Sequence, residues 1–223
     1  MDRQTLSVDL VDPDPRVTPE IEQALQRLGQ DVVLTVYESY AEASDGLQHY
    51  MPDLLIVDTG LSQGNGLEFV RKQRIAMPDV LILAYSQQDE LLYAERTLRI
   101  GAHAYVMKGT GLELLEKALE TILNGELFVS PTIESKILRT IAGAEQQQKP
   151  DPERVLSNRE LEILILIGEG FTSRGIAEKL MLSIKTVETH RAHIKRKLQT
   201  PSATNLVRYA KEWVQQITTG MEN

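Results

Sequence analysis

The chain has 223 residues, 42% of them apolar, four histidines and no cysteine, which suits one or two domains with their own cores and excludes disulfides and thiolate metal sites. No run of about 18 apolar residues and no charged-then-apolar amino terminus occurs, so neither a membrane span nor a signal peptide is expected, and the expected compartment is the cytoplasm. The formal charge of −8 divides unevenly: residues 1–127 carry 21 acids and 10 bases, residues 150–223 carry 9 acids and 11 bases, and that asymmetry implies two domains with different partners. Leu6 to Val11 alternates and is rich in β-formers, predicting a strand that Asp12-Pro13-Asp14-Pro15 ends. A helix over Glu20 to Leu28 follows, stopped by Gly29, then a strand over Val32 to Val36 and a weak helix over Tyr40 to Tyr50 interrupted by Gly46. Asp53 to Asp58 carries the unbroken apolar run expected of a strand covered on both faces. Beyond it the pattern predicts helix 67–74, strand 80–85, helix 90–99, a short strand 104–106 and helix 112–124. In the last of these, Leu115, Ala118, Leu119, Ile122 and Leu123 face inward.

Five strands alternating with five helices predict an α/β doubly wound, five-stranded parallel sheet over residues 1–127. Functional residues collect at the carboxyl ends of strands in such sheets. The polar residues standing there are Asp12, Asp58, Ser86 and Lys108. Carboxylates, a hydroxyl and an ammonium on one rim suit the making and sensing of a phosphoryl group, with Asp58 as nucleophile, a Mg²⁺ ion to offset charge, and Ser86 and Lys108 on the phosphoryl oxygens.

Residues 128–152 read as a connector. Pro131 to Ile141 predicts a helix with Ile133, Ile137, Leu138 and Ile141 on one face, and Glu145 to Pro152 a Gln/Pro-rich linker. Residues 153–223 read as all-α. Ser157 with Glu160 three residues later is a capping box ahead of the apolar run 161–167, and Gly170 is a stop. Thr172 caps a short helix containing Ile176, Ala177 and Leu180, Met181-Leu182 make a turn, and Ser183 caps a basic helix to Leu198. Val187, Ile194 and Leu198 share one face of it. From Lys185 to Lys211 seven Lys or Arg stand against one acid, Glu188. A closing helix over Ser202 to Ile217 carries Leu206, Tyr209, Ala210, Trp213 and Ile217 on a stripe. This helix, turn and basic helix is the geometry that lays one helix in a DNA major groove. Of the histidines, His190 and His193 alone have helical spacing, and phosphate contact or surface polarity suits them better than a metal.

Two resemblances follow. L-S-x-R-E-x-E-I-L at 156–164, I-A-x-x-L at 176–180 and S-x-K-T-V-x-x-H-x-x-x-I-x-x-K-L at 183–198 resemble the LuxR-type helix-turn-helix domain, with Asn158 where that family usually has proline and Gly175 where it usually has a polar residue. V-D at 11–12, L-L-I-V-D at 54–58, G-L at 66–67, the stretch 86–101 and A-Y-V-M-K at 104–108 resemble the flavodoxin-like receiver domain of response regulators. Together they are similar to the NarL/FixJ class of transcription regulators. The resemblance implies Asp58 as phosphoacceptor, Ser86 and Lys108 as phosphate sensors, Tyr105 as the aromatic switch residue, and Asp12, Asp58 and the Gly60 carbonyl as Mg²⁺ ligands. It also implies a cognate histidine kinase and a homodimer on double-stranded DNA. Receivers usually place two adjacent acids after the first strand; here Pro13 holds the second place, with Asp14 one position later.

On the basic helix, Lys185, Thr186, His190 and Lys197 are expected to hold phosphates while Glu188, Thr189 and Ala192 face base edges. Three readings stand beside one another. The first is a DNA-binding regulator switched at Asp58. The second is a degenerate receiver switched by a partner or ligand, and the third an adaptor that docks proteins only. An enzyme is least expected, because no nucleophile–base pair or cofactor loop is present.

Overall fold

Five predominantly apolar stretches form the strands β1 (Leu6–Val11), β2 (Val32–Tyr37), β3 (Leu54–Val57), β4 (Leu81–Ser86) and β5 (Ala104–Met107) in a computed structural model that describes residues 5–61, 65–141 and 152–219. Every neighbouring pair is parallel, in the order β2-β1-β3-β4-β5. The connections are the helices α1 (Val17–Arg27), α2 (Tyr40–Gly46), α3 (Gly66–Ala76), α4 (Glu90–Arg99) and α5 (Leu112–Leu123). Side chains alternate across a strand. Val8, Leu10, Leu54 and Ile56 therefore meet Ile21, Leu25, Leu115 and Leu119 on one face. Val11, Leu55 and Val57 meet Tyr40, Ala43, Phe69 and Val70 on the other. All four residues of β3 are fully buried, each contributing roughly 1.5–3 kcal/mol, which explains the unbroken apolar run and fixes the height at which Asp58 emerges.

Helix α1 starts three residues before its expected start. Pro19 lies in the first turn, where a missing N–H removes no intrahelical bond, and Val17 there is buried. Helix α6 (Pro131–Ile141) packs on the sheet unit through the buried Ile133 and a hydrogen bond from Lys136 Nζ to the Leu91 carbonyl, 2.5 Å. Its expected apolar stripe is only partly used: Leu138 and Ile141 are 58% and 77% exposed. The chain separates into two units, Met1–Ala142 and Gly143–Asn223. The linker expected at 145–152 lies outside the described residues except for Pro152, which begins the short α7 (Pro152–Val155).

The second unit contains α8 (Asn158–Gly168), α9 (Ser173–Lys179), α10 (Ile184–Lys197) and α11 (Ala203–Thr219). Ser157 and Glu160 form the reciprocal capping box at α8, and Thr172 and Ser183 cap α9 and α10. Leu161, Leu164, Ile176, Val187, Ile194, Leu206 and Ala210 make its core. Gly168 is required by the crossing of α8 and α11: a Cβ there would lie 2.5 Å from Val214 Cγ2 and 2.6 Å from the Ala210 carbonyl oxygen. Met181 turns the chain between α9 and α10 at φ 52, allowing the Leu182 N–H to reach the Ala177 carbonyl at 2.9 Å.

Candidate functional site

At the carboxyl edge of the sheet the strand ends bring Asp12, Asp58, Ser86 and Lys108 together. Lys108 Nζ lies 2.6 Å from Asp12 Oδ2 and 2.7 Å from Asp58 Oδ2. The other Asp58 oxygen, Oδ1, accepts from Ser86 Oγ at 2.7 Å and from the Gly60 N–H at 2.8 Å. Asp12 is 3% exposed, Asp58 8% and Ser86 0%, so these bonds form in a medium of low dielectric, where they are strong. Burial is the largest influence on Lys108 and pushes it down, but its bonds to Asp12 and Asp58 outweigh this and hold the ammonium charged above its ordinary value. Two carboxylates sharing one ammonium leave the cluster net negative.

Tyr105 points inward, 1% exposed, and donates to the Gln88 carbonyl at 2.7 Å. Burial pushes its phenol well up, so it stays a donor. Gln88 is a site residue that motif reading did not single out. It accepts from Thr59 Oγ1 at 3.1 Å and lies against Gly60, where a Cβ would be 3.4 Å from Gln88 Cγ. Its position two residues after Ser86 is the only sequence signal for it.

The two residues after Asp12 behave differently from a second and third acid. Pro13 is exposed. Asp14 turns away to Arg16, accepting from Nε at 2.9 Å and from Nη2 at 2.7 Å, and this guanidinium holds its carboxyl down at about 2. Among the described residues no group of three or more His, Cys, Asp or Glu side chains is placed to hold a metal ion. Two hard oxygen ligands, Asp12 and Asp58, do converge on one cation-sized point, the point Lys108 Nζ occupies. One or two carboxylates are what Mg²⁺ ordinarily takes from a protein, so the donor set fits that ion with a reduced complement.

In the second unit α10 presents Lys185, Glu188, Thr189 and Ala192 on one exposed face, spaced three, four and seven residues apart. The Thr186 hydroxyl lies 2.7 Å from Ser183 Oγ at the cap. Glu188 accepts a hydrogen bond from the Ser173 hydroxyl of α9. Two residues stand differently from expectation. Lys197 Nζ is bonded at 2.6 Å to Glu160 Oε2, a carboxylate only 3% exposed, so its ammonium offsets a buried charge within the unit. His190 is half-buried; its Nδ1 is enclosed without a hydrogen-bond partner, and burial pushes its ring below the ordinary value. Both stand close to α8, Lys197 through its bond to Glu160 and His190 beside Glu160 and Arg159.

Comparison with known proteins matches both units. Residues 8–120 fit the family model described as the response regulator receiver domain, and residues 154–210 that of bacterial regulatory proteins of the luxR family. The oxygen regulatory protein NreC of Staphylococcus carnosus is 35% identical over 202 residues, covering 85% of this chain and 93% of that one. NreC of Staphylococcus aureus is similar to the same degree. Among solved structures, RcsB of Salmonella enterica serovar Typhimurium, bound to promoter DNA in the presence of the phosphomimetic BeF3−, superimposes with a TM-score of 0.60 at 23% identity. That likeness covers 94% of this chain and 100% of the other and concerns the fold.

Proposed function

Because the chain belongs to the response regulators that join a receiver domain to a LuxR-type DNA-binding domain, it works through DNA in the control of transcription, and we propose that phosphorylation of Asp58 is its switch. The observation that carries this is the Asp58 carboxylate, buried yet aimed at the strand-end rim, held through one oxygen by Ser86 and Gly60 and through the other by Lys108. Such a carboxylate attacks the phosphorus of a phosphohistidine or an acyl phosphate. A P–O bond to Asp58 forms as the bond to the leaving group breaks, giving an aspartyl phosphate. Lys108 offsets the added charge and Ser86 donates to a phosphoryl oxygen. Asp12, Asp58 and the Gly60 carbonyl would hold Mg²⁺, which would supply further charge neutralisation there. Tyr105 and Gln88 report the change to the start of α4, because Gln88 lies in the Ser86–Asp89 turn and Tyr105 donates to its carbonyl.

On the output side, α10 enters the major groove. Lys185 and Thr186 hold phosphates, and Glu188, Thr189 and Ala192 face bases. The protein binds as a homodimer whose half-sites lie about one helical turn apart. A histidine kinase is the donor, and the cytoplasm is where kinase, regulator and DNA meet; among the described residues no helix is long and apolar enough to cross a membrane. A second reading, in which a partner or ligand replaces phosphorylation as the switch, is favoured by Pro13 and by the engagement of Asp14 with Arg16. Incubation with acetyl phosphate and Mg²⁺ followed by intact-mass measurement separates the two. One added phosphoryl group that disappears in Asp58→Asn supports the first; no modification of the chain favours the second.

A further inference from the structure

We infer that Ser173 is a specificity-determining residue: it holds the Glu188 carboxylate in place at the base edges, so that α10 selects cytosine opposite that position. This rests on the docking of α10 in the major groove.

Glu188, itself exposed, is the one acid in α10, whose other charged residues are Lys185, Arg191, Lys195, Arg196 and Lys197, with His190 and His193 beside them. Left free, a glutamate there swings away from phosphate and loses rotamer entropy whenever it is fixed against a base. Its i−3 and i+3 neighbours, Lys185 and Arg191, are spaced to pair with it, yet no ion pair to Glu188 occurs among the described residues. The carboxylate instead accepts a hydrogen bond from the hydroxyl of Ser173, fifteen residues back and across the turn between α9 and α10. That hydroxyl is not needed locally. Thr172 is the cap of α9, its Oγ1 accepting the Gly175 N–H at 3.2 Å.

The chemistry of the pair fixes what it selects. A carboxylate accepts only, and the hydroxyl occupies part of one oxygen, leaving the remaining lone pairs directed outward. Of the base edges in the major groove, cytosine N4 is a donor with no acceptor beside it on the same base, whereas guanine offers only acceptors. A prepositioned carboxylate therefore favours cytosine and rejects guanine, and it does so without the ordering cost that an unsupported glutamate bears.

The test is selection from a randomised duplex library by the full chain, comparing wild type with Ser173→Ala, Ser173→Thr, Glu188→Gln, Glu188→Ala and the pair Ser173→Ala/Glu188→Ala. Wild type should enrich one cytosine position per half-site. Ser173→Ala should lower that preference by about three- to ten-fold, the range for losing an exposed hydrogen bond to a charged group, with bulk-DNA affinity changed by less than about two-fold. Ser173→Thr keeps the hydroxyl and should keep the preference. Glu188→Gln should lose it, and the double variant should match Glu188→Ala alone, because the serine acts only through the glutamate. Unchanged cytosine preference in Ser173→Ala overturns the inference. So does an equal loss of affinity for every sequence together with a lowered unfolding midpoint, which is a scaffold role. Failure of every variant to bind any duplex removes the docking reading itself, and this inference with it.

Discussion

Removing the Lys197 ammonium should destabilise the DNA-binding unit before it affects any phosphate contact. Glu160 is 3% exposed, and its polar neighbours include the Ser157 N–H at 2.7 Å, Lys197 Nζ at 2.6 Å and His193 Nδ1 at 3.9 Å. Stripping one partner from a wholly buried ion pair costs about 3–5 kcal/mol. The Lys197 side chain is 36% exposed, so water replaces part of what is lost, and about 1–2 kcal/mol is expected for Lys197→Ala at neutral pH. In a unit of this size that lowers the thermal midpoint by roughly 5–15 °C. Trp213, the only tryptophan in the chain, lies on α11 and makes fluorescence-detected unfolding report this unit.

The pH dependence of that effect has a definite sign. Burial, the largest influence on Glu160, raises its carboxyl, but the bonds from Lys197 and Ser157 outweigh it and hold the group below its usual 4.5. A depressed carboxylate contributes stability above its unfolded value and loses it as pH falls through the folded value. The gap between wild type and Lys197→Ala is thus full at neutral pH and narrows below 4.5. In a Glu160→Gln background, where the amide still accepts the Ser157 N–H, Lys197→Ala should cost about 1 kcal/mol less. A Lys197→Ala chain that unfolds at the wild-type midpoint at neutral pH, while binding all DNA sequences more weakly, would refute the reasoning and return Lys197 to the phosphates.

Pro13→Asp should speed phosphorylation by acetyl phosphate and tighten Mg²⁺ binding by about ten-fold, the scale of one group in a metal's ligand shell; Asp14→Ala should change neither, and a strong loss there would show that Asp14 leaves Arg16 to reach the metal. Gly175→Ala should raise the Trp213-reported midpoint by about 0.5–1 kcal/mol of stability, since a Cβ would meet Phe171 Cδ1 at 3.4 Å and Thr172 Oγ1 at 3.7 Å; a lowered midpoint would mean those neighbours cannot accommodate it. Limited proteolysis should cut first between Glu145 and Pro152 and release two folded fragments; a first cut inside residues 20–120 would overturn the boundary.

Much of the fold was legible because its signals are local. The apolar run of β3, the Ser157–Glu160 capping box and the caps Thr172 and Ser183 each lie within a few consecutive residues. The rim residues Asp12, Asp58, Ser86 and Lys108 were legible once the strand ends were placed, since a parallel sheet brings those ends together. What escaped sequence reading depends on distant pairing. Glu160 and Lys197 are 37 residues apart, and only the packing of α10 on α8 joins them. Ser173 and Glu188 are likewise brought together by the turn at Met181. Asp9 is the plainest case: an acid inside β1 that alternation assigns to a polar face, it is 1% exposed and accepts a hydrogen bond from the Tyr50 phenol, which itself lies 3.3 Å from the Tyr37 phenol. Nothing in the spacing of Asp9, Tyr37 and Tyr50 announces that contact. Exposure of Leu138 and Ile141 was also invisible, because periodicity reports that a helix has an apolar face and not that the face is covered.

The central claim, that chemistry at Asp58 sets DNA binding, is tested most directly by fluorescence anisotropy of one duplex titrated with the full chain, with and without prior acetyl phosphate and Mg²⁺, in parallel with Asp58→Asn. The account predicts that the treated wild-type chain changes its affinity, that the change scales with the fraction of chain carrying a phosphoryl group by mass, and that Asp58→Asn is indifferent to treatment. A chain that carries the phosphoryl group on Asp58 yet binds the duplex with unaltered affinity would contradict it.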